Sequence, residues 1–85
     1  MTYRLRFVKR AAKQFQALPE QAKRRIQPKI DALATEPRPT GVTKLSGEDN
    51  LYRIRVGDYR ILYAIEDDQL LVLVVALGHR REIYR

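Results

Sequence analysis

The sequence predicts an α+β fold: an N-terminal strand, a two-helix antiparallel hairpin, then three to four mainly antiparallel strands forming a curved sheet with the helices on one face. Three observations carry this expectation. Apolar residues recur at helical spacing between Val8 and Ala34, two alternating runs flank Gly57-Asp58, and Leu70 to Leu77 is apolar throughout.

The chain opens on Met1-Thr2-Tyr3-Arg4-Leu5-Arg6-Phe7, which alternates as a strand does. Val8, Ala11, Ala12, Phe15 and Leu18 then form a helical stripe with Lys9, Arg10, Lys13 and Gln14 between them. Pro19 suits the first turn of a second helix, and Glu20 suits its positive end. Ala22, Ile26, Ile30, Leu33 and Ala34 continue that helix to Thr35. Pro28 removes one backbone bond inside it, but the stripe resumes in phase, so the spacing predicts one helix kinked at that point. The short link between the two helices predicts an antiparallel pair. Pro37, Pro39 and Gly41 end the helical region, and Gly41 to Asn50 reads as a loop or short strand around Val42-Thr43-Lys44-Leu45.

Tyr52 to Tyr63 reads as two strands joined by a two-residue turn at Gly57-Asp58. That turn pairs Val56 with Tyr59, Arg55 with Arg60, Ile54 with Ile61, Arg53 with Leu62 and Tyr52 with Tyr63. One face is then apolar (Tyr52, Ile54, Val56, Tyr59, Ile61, Tyr63), while the other gathers Arg53, Arg55 and Arg60. Glu66-Asp67-Asp68-Gln69 is a second turn, and Leu70 to Leu77, lacking alternation, reads as a central strand buried on both faces. Gly78 permits a bend, and Arg81 to Arg85 reads as a short final strand or an ordered tail. Residues 1–85 show no repeat and no second domain.

Eighty-five residues bury only about 60–65% of the surface of the unfolded chain, enough for one covered sheet. The chain has no cysteine, which excludes disulfides and thiolate metal sites and suits a reducing, cytoplasmic setting. No apolar run is long enough to span a bilayer as a helix, and the first residues lack a signal-peptide core. The formal net charge is +7, with twelve arginines among the 17 basic residues. That bias favours a nucleic acid or an acidic protein as partner.

No glycine-rich phosphate loop, nucleophile elbow or metal-spaced Cys/His set is present. No cofactor and no metal is implied, and the acidic turn reads more readily as a solvated loop than as a cation site. Arg55 lies opposite Arg60, and like charges so placed destabilise a sheet. The set Arg53, Arg55 and Arg60 is thus either a solvated face or an anion clamp, and the opposition favours the clamp. Gly78-His79-Arg80-Arg81-Glu82-Ile83-Tyr84, leaving a rigid strand, brings further groups within reach of that clamp. His79 is a loop histidine or a proton carrier. Tyr84 is a chain-end anchor or a stacking surface for a base. Tyr52, Tyr59 and Tyr63 read as core.

The hairpin Tyr52-Arg53-Ile54-Arg55-Val56-Gly57-Asp58-Tyr59-Arg60-Ile61-Leu62-Tyr63, the acidic turn, the apolar strand and Gly78 to Tyr84 together resemble the RelE/ParE superfamily of type II toxin–antitoxin toxins, and its RelE branch in particular. The likeness spans nearly the whole chain, including Lys44-Leu45 before the hairpin. It implies a RelE-like fold and a ribosome-dependent mRNA endonuclease (an mRNA interferase) that works without a metal. In that chemistry the substrate's own 2′-hydroxyl attacks the adjacent phosphate. The resemblance assigns catalytic roles to Arg60, Arg80 and Tyr84, and RNA or phosphate contacts to Arg53, Arg55, Arg81 and Lys44. Arg60 and Arg80 hold the scissile phosphate, and Tyr84 orients or stacks on a base.

Some RelE-type enzymes carry lysines where this chain has Arg53 and Arg55. An arginine stays charged in proteins, so neither serves as a base, and His79 is the expected proton carrier. The resemblance also implies a cognate antitoxin as hetero-oligomeric partner, acidic or partly disordered and DNA-binding, besides the ribosome and mRNA. No homo-oligomer and no membrane partner is expected. The competing readings are a ParE-type inhibitor of DNA gyrase and an inactive basic binding module.

Overall fold

The computed structural model describes residues 2–45, 47 and 50–79. Along the chain these form β1 (Arg4–Phe7), α1 (Lys9–Gln16), α2 (Glu20–Ala32), β2 (Thr43–Lys44), β3 (Leu51–Val56), β4 (Tyr59–Glu66) and β5 (Leu71–His79), with a 3-10 turn at Asp67–Gln69. The sheet order is β1-β5-β4-β3-β2. β1 runs parallel to β5, and every other neighbouring pair is antiparallel.

Local chemistry explains the element ends. Val8 has extended backbone and precedes α1, whose buried residue is Ala11. Pro19 stands one position before α2 rather than within its first turn. α2 is continuous through Pro28, an exposed residue, and its buried stripe is Ala22, Ile26 and Ile30. The helix ends at Ala32, three residues earlier than the apolar spacing suggests, and Leu33 to Thr35 close it with turn hydrogen bonds. The expected loop segment contains the short edge strand β2.

The β3–β4 hairpin has the register that its two-residue turn dictates, from Val56 opposite Tyr59 to Tyr52 opposite Tyr63. Gly57 has φ +61 while Asp58 keeps a negative φ. That combination is a type II′ turn, whose twist matches the flanking strands. Tyr52, Val56, Ile61, Tyr63 and Ile65 from the hairpin join Val72, Val74 and Leu77 of β5 in one core with Ala11, Ala22, Ile26, Ile30 and Leu33 of the helical segment.

β5 departs from its expected burial. Val72 and Val74 are buried on the helix side, but Leu71, Leu73 and Val75 are only half-buried. The helices cover one face alone, so the run is apolar on both sides without being enclosed on both. The register with β4 also shifts: Leu62 pairs with Ala76, yet Tyr63 pairs with Val74, leaving Val75 as the extra residue of a bulge.

A polar cluster ties the proline-rich loop to the sheet. Arg38 donates both terminal nitrogens to the Asp67 carboxylate, at 3.2 and 2.8 Å, and its Nε to the Tyr52 hydroxyl at 3.1 Å. The Arg38 guanidinium also sits 5.3 Å from the centre of the Tyr52 ring. Tyr3 donates its hydroxyl to Asp67 at 2.7 Å, and buried Tyr63 donates to the Pro37 carbonyl at 2.8 Å. The acidic turn therefore contributes Asp67 as a structural acceptor.

The Arg38 guanidinium, then the Tyr3 hydroxyl, hold the Asp67 carboxyl below the usual carboxylate range. A depressed pKa stabilises the fold above the unfolded value, about 3.9, and that contribution is lost as pH falls through the folded value. Asp67→Asn should therefore flatten the acid limb of a pH–stability curve measured by urea melts, while lowering stability near neutrality. Tyr63→Phe strips the donor from a buried carbonyl and should cost roughly 1–2 kcal/mol in the same melts.

Candidate nucleic-acid interface

The hairpin register decides which side chains meet. Strand residues alternate between faces, so Tyr52, Ile54 and Val56 turn toward the helices while Arg53 and Arg55 turn away. Arg60 lies between Arg55 on β3 and Gly78 on β5. Directly opposed residues have Cβ atoms about 5 Å apart, and Arg53 and Arg55, two residues apart on one strand, are separated by about 7 Å. Three guanidiniums thus rise from one small area. Arg55 is exposed, Arg53 and Arg60 are half-buried, and the Nε of Arg60 is enclosed. The β5 residue opposite Arg60 is Gly78, which carries no side chain.

The rest of this face is mainly apolar, with Glu66 opposite Leu71 at one end and a second basic margin. Leu62, Leu71 and Leu73 lie half-buried across its middle. Arg4 and Arg6 of β1 stand beside Leu71 and Leu73 and are exposed. A surface of this kind offers forked donors to phosphate oxygens and apolar area to the flat sides of bases.

Two expected members of the site lie elsewhere. Lys44 pairs with Tyr52, which puts it on the opposite face from the arginines, at the β2 edge. His79 pairs with Tyr59 and meets its ring edge to face, with centroids 5.7 Å apart and planes at 80°. The bulge at Val75 is the cause. Uninterrupted alternation from Val74 would send His79 to the arginine face; one extra residue sends it to the helix side. There it lines a cavity of about 320 Å³ with Gln14, Leu18, Pro19 and Tyr59. Arg80, Arg81 and Tyr84 lie outside the described residues.

Two other side chains bear on the site. Gln14 of α1 accepts a hydrogen bond from the Leu77 backbone N–H at 2.9 Å, pinning the helix to the strand that carries Gly78 and His79. Arg25 of α2 packs its guanidinium against the hairpin turn: a Cβ on Gly57 would stand 2.7 Å from an Arg25 terminal nitrogen. Gln14 follows Ala11 by three residues and precedes Leu18 by four, so its place on the inner face could be read from spacing. Nothing in the sequence around Arg25 announces its contact with a turn 32 residues away.

A family model described as "ParE toxin of type II toxin-antitoxin system, parDE" matches residues 5–84. The chain is 30% identical over 88 residues to the mRNA interferase toxin RelE of Escherichia coli K12, covering 99% of this chain and 92% of that protein. It is 29% identical over 86 residues to the toxin RelG of Mycobacterium tuberculosis, covering 100% and 99%. In three dimensions it matches the archaeal RelE of the RelE–RelB complex from Pyrococcus horikoshii with a TM-score of 0.83 at 36% identity, over 96% of this chain and 99% of that one. The isolated E. coli RelE toxin gives a TM-score of 0.82 at 29% identity, over 96% and 90%.

The Arg55–Arg60 opposition has a measurable signature. Arg55→Gln should raise stability by a few tenths of a kcal/mol at low salt, with the gain shrinking as salt is added. Urea melts at two ionic strengths check this. A clear loss of stability would instead mean that Arg55 is held by favourable contacts in the free protein.

Proposed function

The chain belongs to the RelE/ParE superfamily of type II toxins, on its RelE branch, and from that premise we propose that it is a ribosome-dependent mRNA endonuclease that halts translation in the cytoplasm. The observation that carries this reading is the cluster of Arg53, Arg55 and Arg60 on the sheet face that the helices leave uncovered. Guanidiniums gathered so closely on one face suit the oxygens of a phosphate.

In this reading the scissile phosphate sits over Arg60, flanked by Arg55 and Arg53, with Arg80 closing the clamp. The 2′-oxygen of the preceding nucleotide loses its proton and attacks phosphorus. The bond to the 5′-oxygen breaks, and that oxygen takes up a proton. The products are a 2′,3′-cyclic phosphate and a 5′-hydroxyl. Negative charge builds on the non-bridging oxygens as phosphorus becomes five-coordinate, and fixed guanidiniums stabilise that charge more than the ground state. No step requires a metal. Tyr84 stacks on a base beside the cut, and Arg81 adds a backbone contact. His79, behind the sheet beside Tyr59, has no part in the proton transfers of this scheme.

The partner reading follows the same chemistry. Solved relatives are RelE–RelB complexes, and a +7 chain attracts an acidic, partly disordered antitoxin segment. Covering the arginine face would exclude RNA and silence the toxin until the antitoxin is removed. The chain also matches the ParE toxin model, and the competing reading is inhibition of DNA gyrase on the same fold.

Primer extension on a programmed ribosome–mRNA complex tests the proposal. Wild type should cut mRNA in the ribosomal A site, and Arg60→Ala or Arg80→Ala should slow cleavage by about 10²–10³-fold. His79→Gln should leave the shape of the pH–rate profile unchanged. Intact mRNA together with blocked gyrase supercoiling would move the protein to the other branch.

A further inference from the structure

On the helix side of the hairpin tip a second groove runs beneath the turn. Its two parts share Pro19 and Tyr59. One, of about 320 Å³, is walled by Gln14 and His79; the other, of about 500 Å³, is walled by Gln21, Arg24 and Arg25. Both fall in the range of small-ligand pockets. No carboxylate lines either part, and Asp58, the acidic residue of the turn itself, is exposed and is not part of the wall.

We infer that this groove is a second RNA subsite, taking a nucleotide that flanks the one held by the outer arginines. The inference rests on the nuclease reading above. Tyr59 borders both parts and His79 one, so aromatic side chains of the kind on which an unstacked base stacks line the groove. Arg24 and Arg25 at the other end supply charge for the adjoining phosphate.

Arg25 also links this groove to the candidate face of Arg53, Arg55 and Arg60. Its guanidinium fills the space that a side chain at position 57 would need, so it is packed against the turn, one pair beyond Val56–Tyr59 and two beyond Arg55–Arg60. Basic groups therefore continue around the end of the hairpin from one sheet face to the other. A strand of RNA bent over the turn would meet arginine on both sides, with Tyr59 as the platform behind.

Single-stranded RNA oligomers lengthened one nucleotide at a time, read by fluorescence anisotropy, test this with Arg24→Ala/Arg25→Ala and Arg24→Lys/Arg25→Lys. Wild type should gain affinity when the oligomer becomes long enough to pass the tip. The double alanine variant should lose about tenfold of that gain, and its salt slope should fall by about 0.7 for each phosphate contact removed. The double lysine variant should restore most of it. In the ribosomal assay the alanine variant should raise KM and spare kcat, as loss of a remote binding contact does. Wild-type affinity, salt slope and KM in the alanine variant, beside normal wild-type cleavage, would overturn the groove alone. Weaker binding of a poly-glutamate peptide with unchanged RNA binding would reassign it to a protein partner. Absence of cleavage by the wild type would instead remove the nuclease reading on which it rests.

Discussion

Everything that distinguishes the two faces of this protein depends on the register of one hairpin. Side chains alternate with a period of two along a strand, so a slip by one residue would exchange the entire inner and outer sets. Gly57, at φ +61, supports a type II′ turn that admits a single pairing, with Arg55 facing Arg60 and Tyr52 facing Tyr63. From that pairing follow both the apolar surface that receives the helices and the arginine surface that does not. The core and the candidate site are two sides of one pattern.

The two sides also oppose each other energetically. Like charges placed directly opposite one another disfavour a sheet. The inner side offsets this by burying Tyr63, Ile61 and Val72 against Ile26, Ile30 and Leu33, all of them essentially inaccessible to solvent. A site that stores charge on a thin sheet needs that kind of backing. Arg38 adds to it at the opposite end, where it joins the proline-rich loop to Asp67 and Tyr52.

Much of this was legible in the residues, because the signals were local. Alternation around Gly57-Asp58 reveals the hairpin register and the arginine cluster, and the apolar spacing reveals both helices through Pro28. What escaped depends on distant contacts or on one irregularity. Tyr3 and Asp67 are 64 residues apart, and Arg38 and Asp67 are 29 apart, so their cluster has no sequence signature. The bulge at Val75 sits inside a uniformly apolar run, where a change of phase leaves no trace, yet it decides which face His79 joins. Exposure of the outer leucines on β5 was hidden for a similar reason: an apolar run does not say how many layers cover it.

The sheet order sets a timetable for folding. β1 emerges first during synthesis, but its strand neighbour is β5, the last of the described strands, and the parallel pairing begins only when Arg4 can meet Leu71. The β3–β4 hairpin can close on its own as soon as it appears, since its contacts are near in sequence. The opening strand must wait with its polar edge unmatched, and the long loop it closes makes this the slow step. A chain built in this order can close its arginine hairpin before its sheet is complete, because β1 gains its strand partner only once β5 has formed.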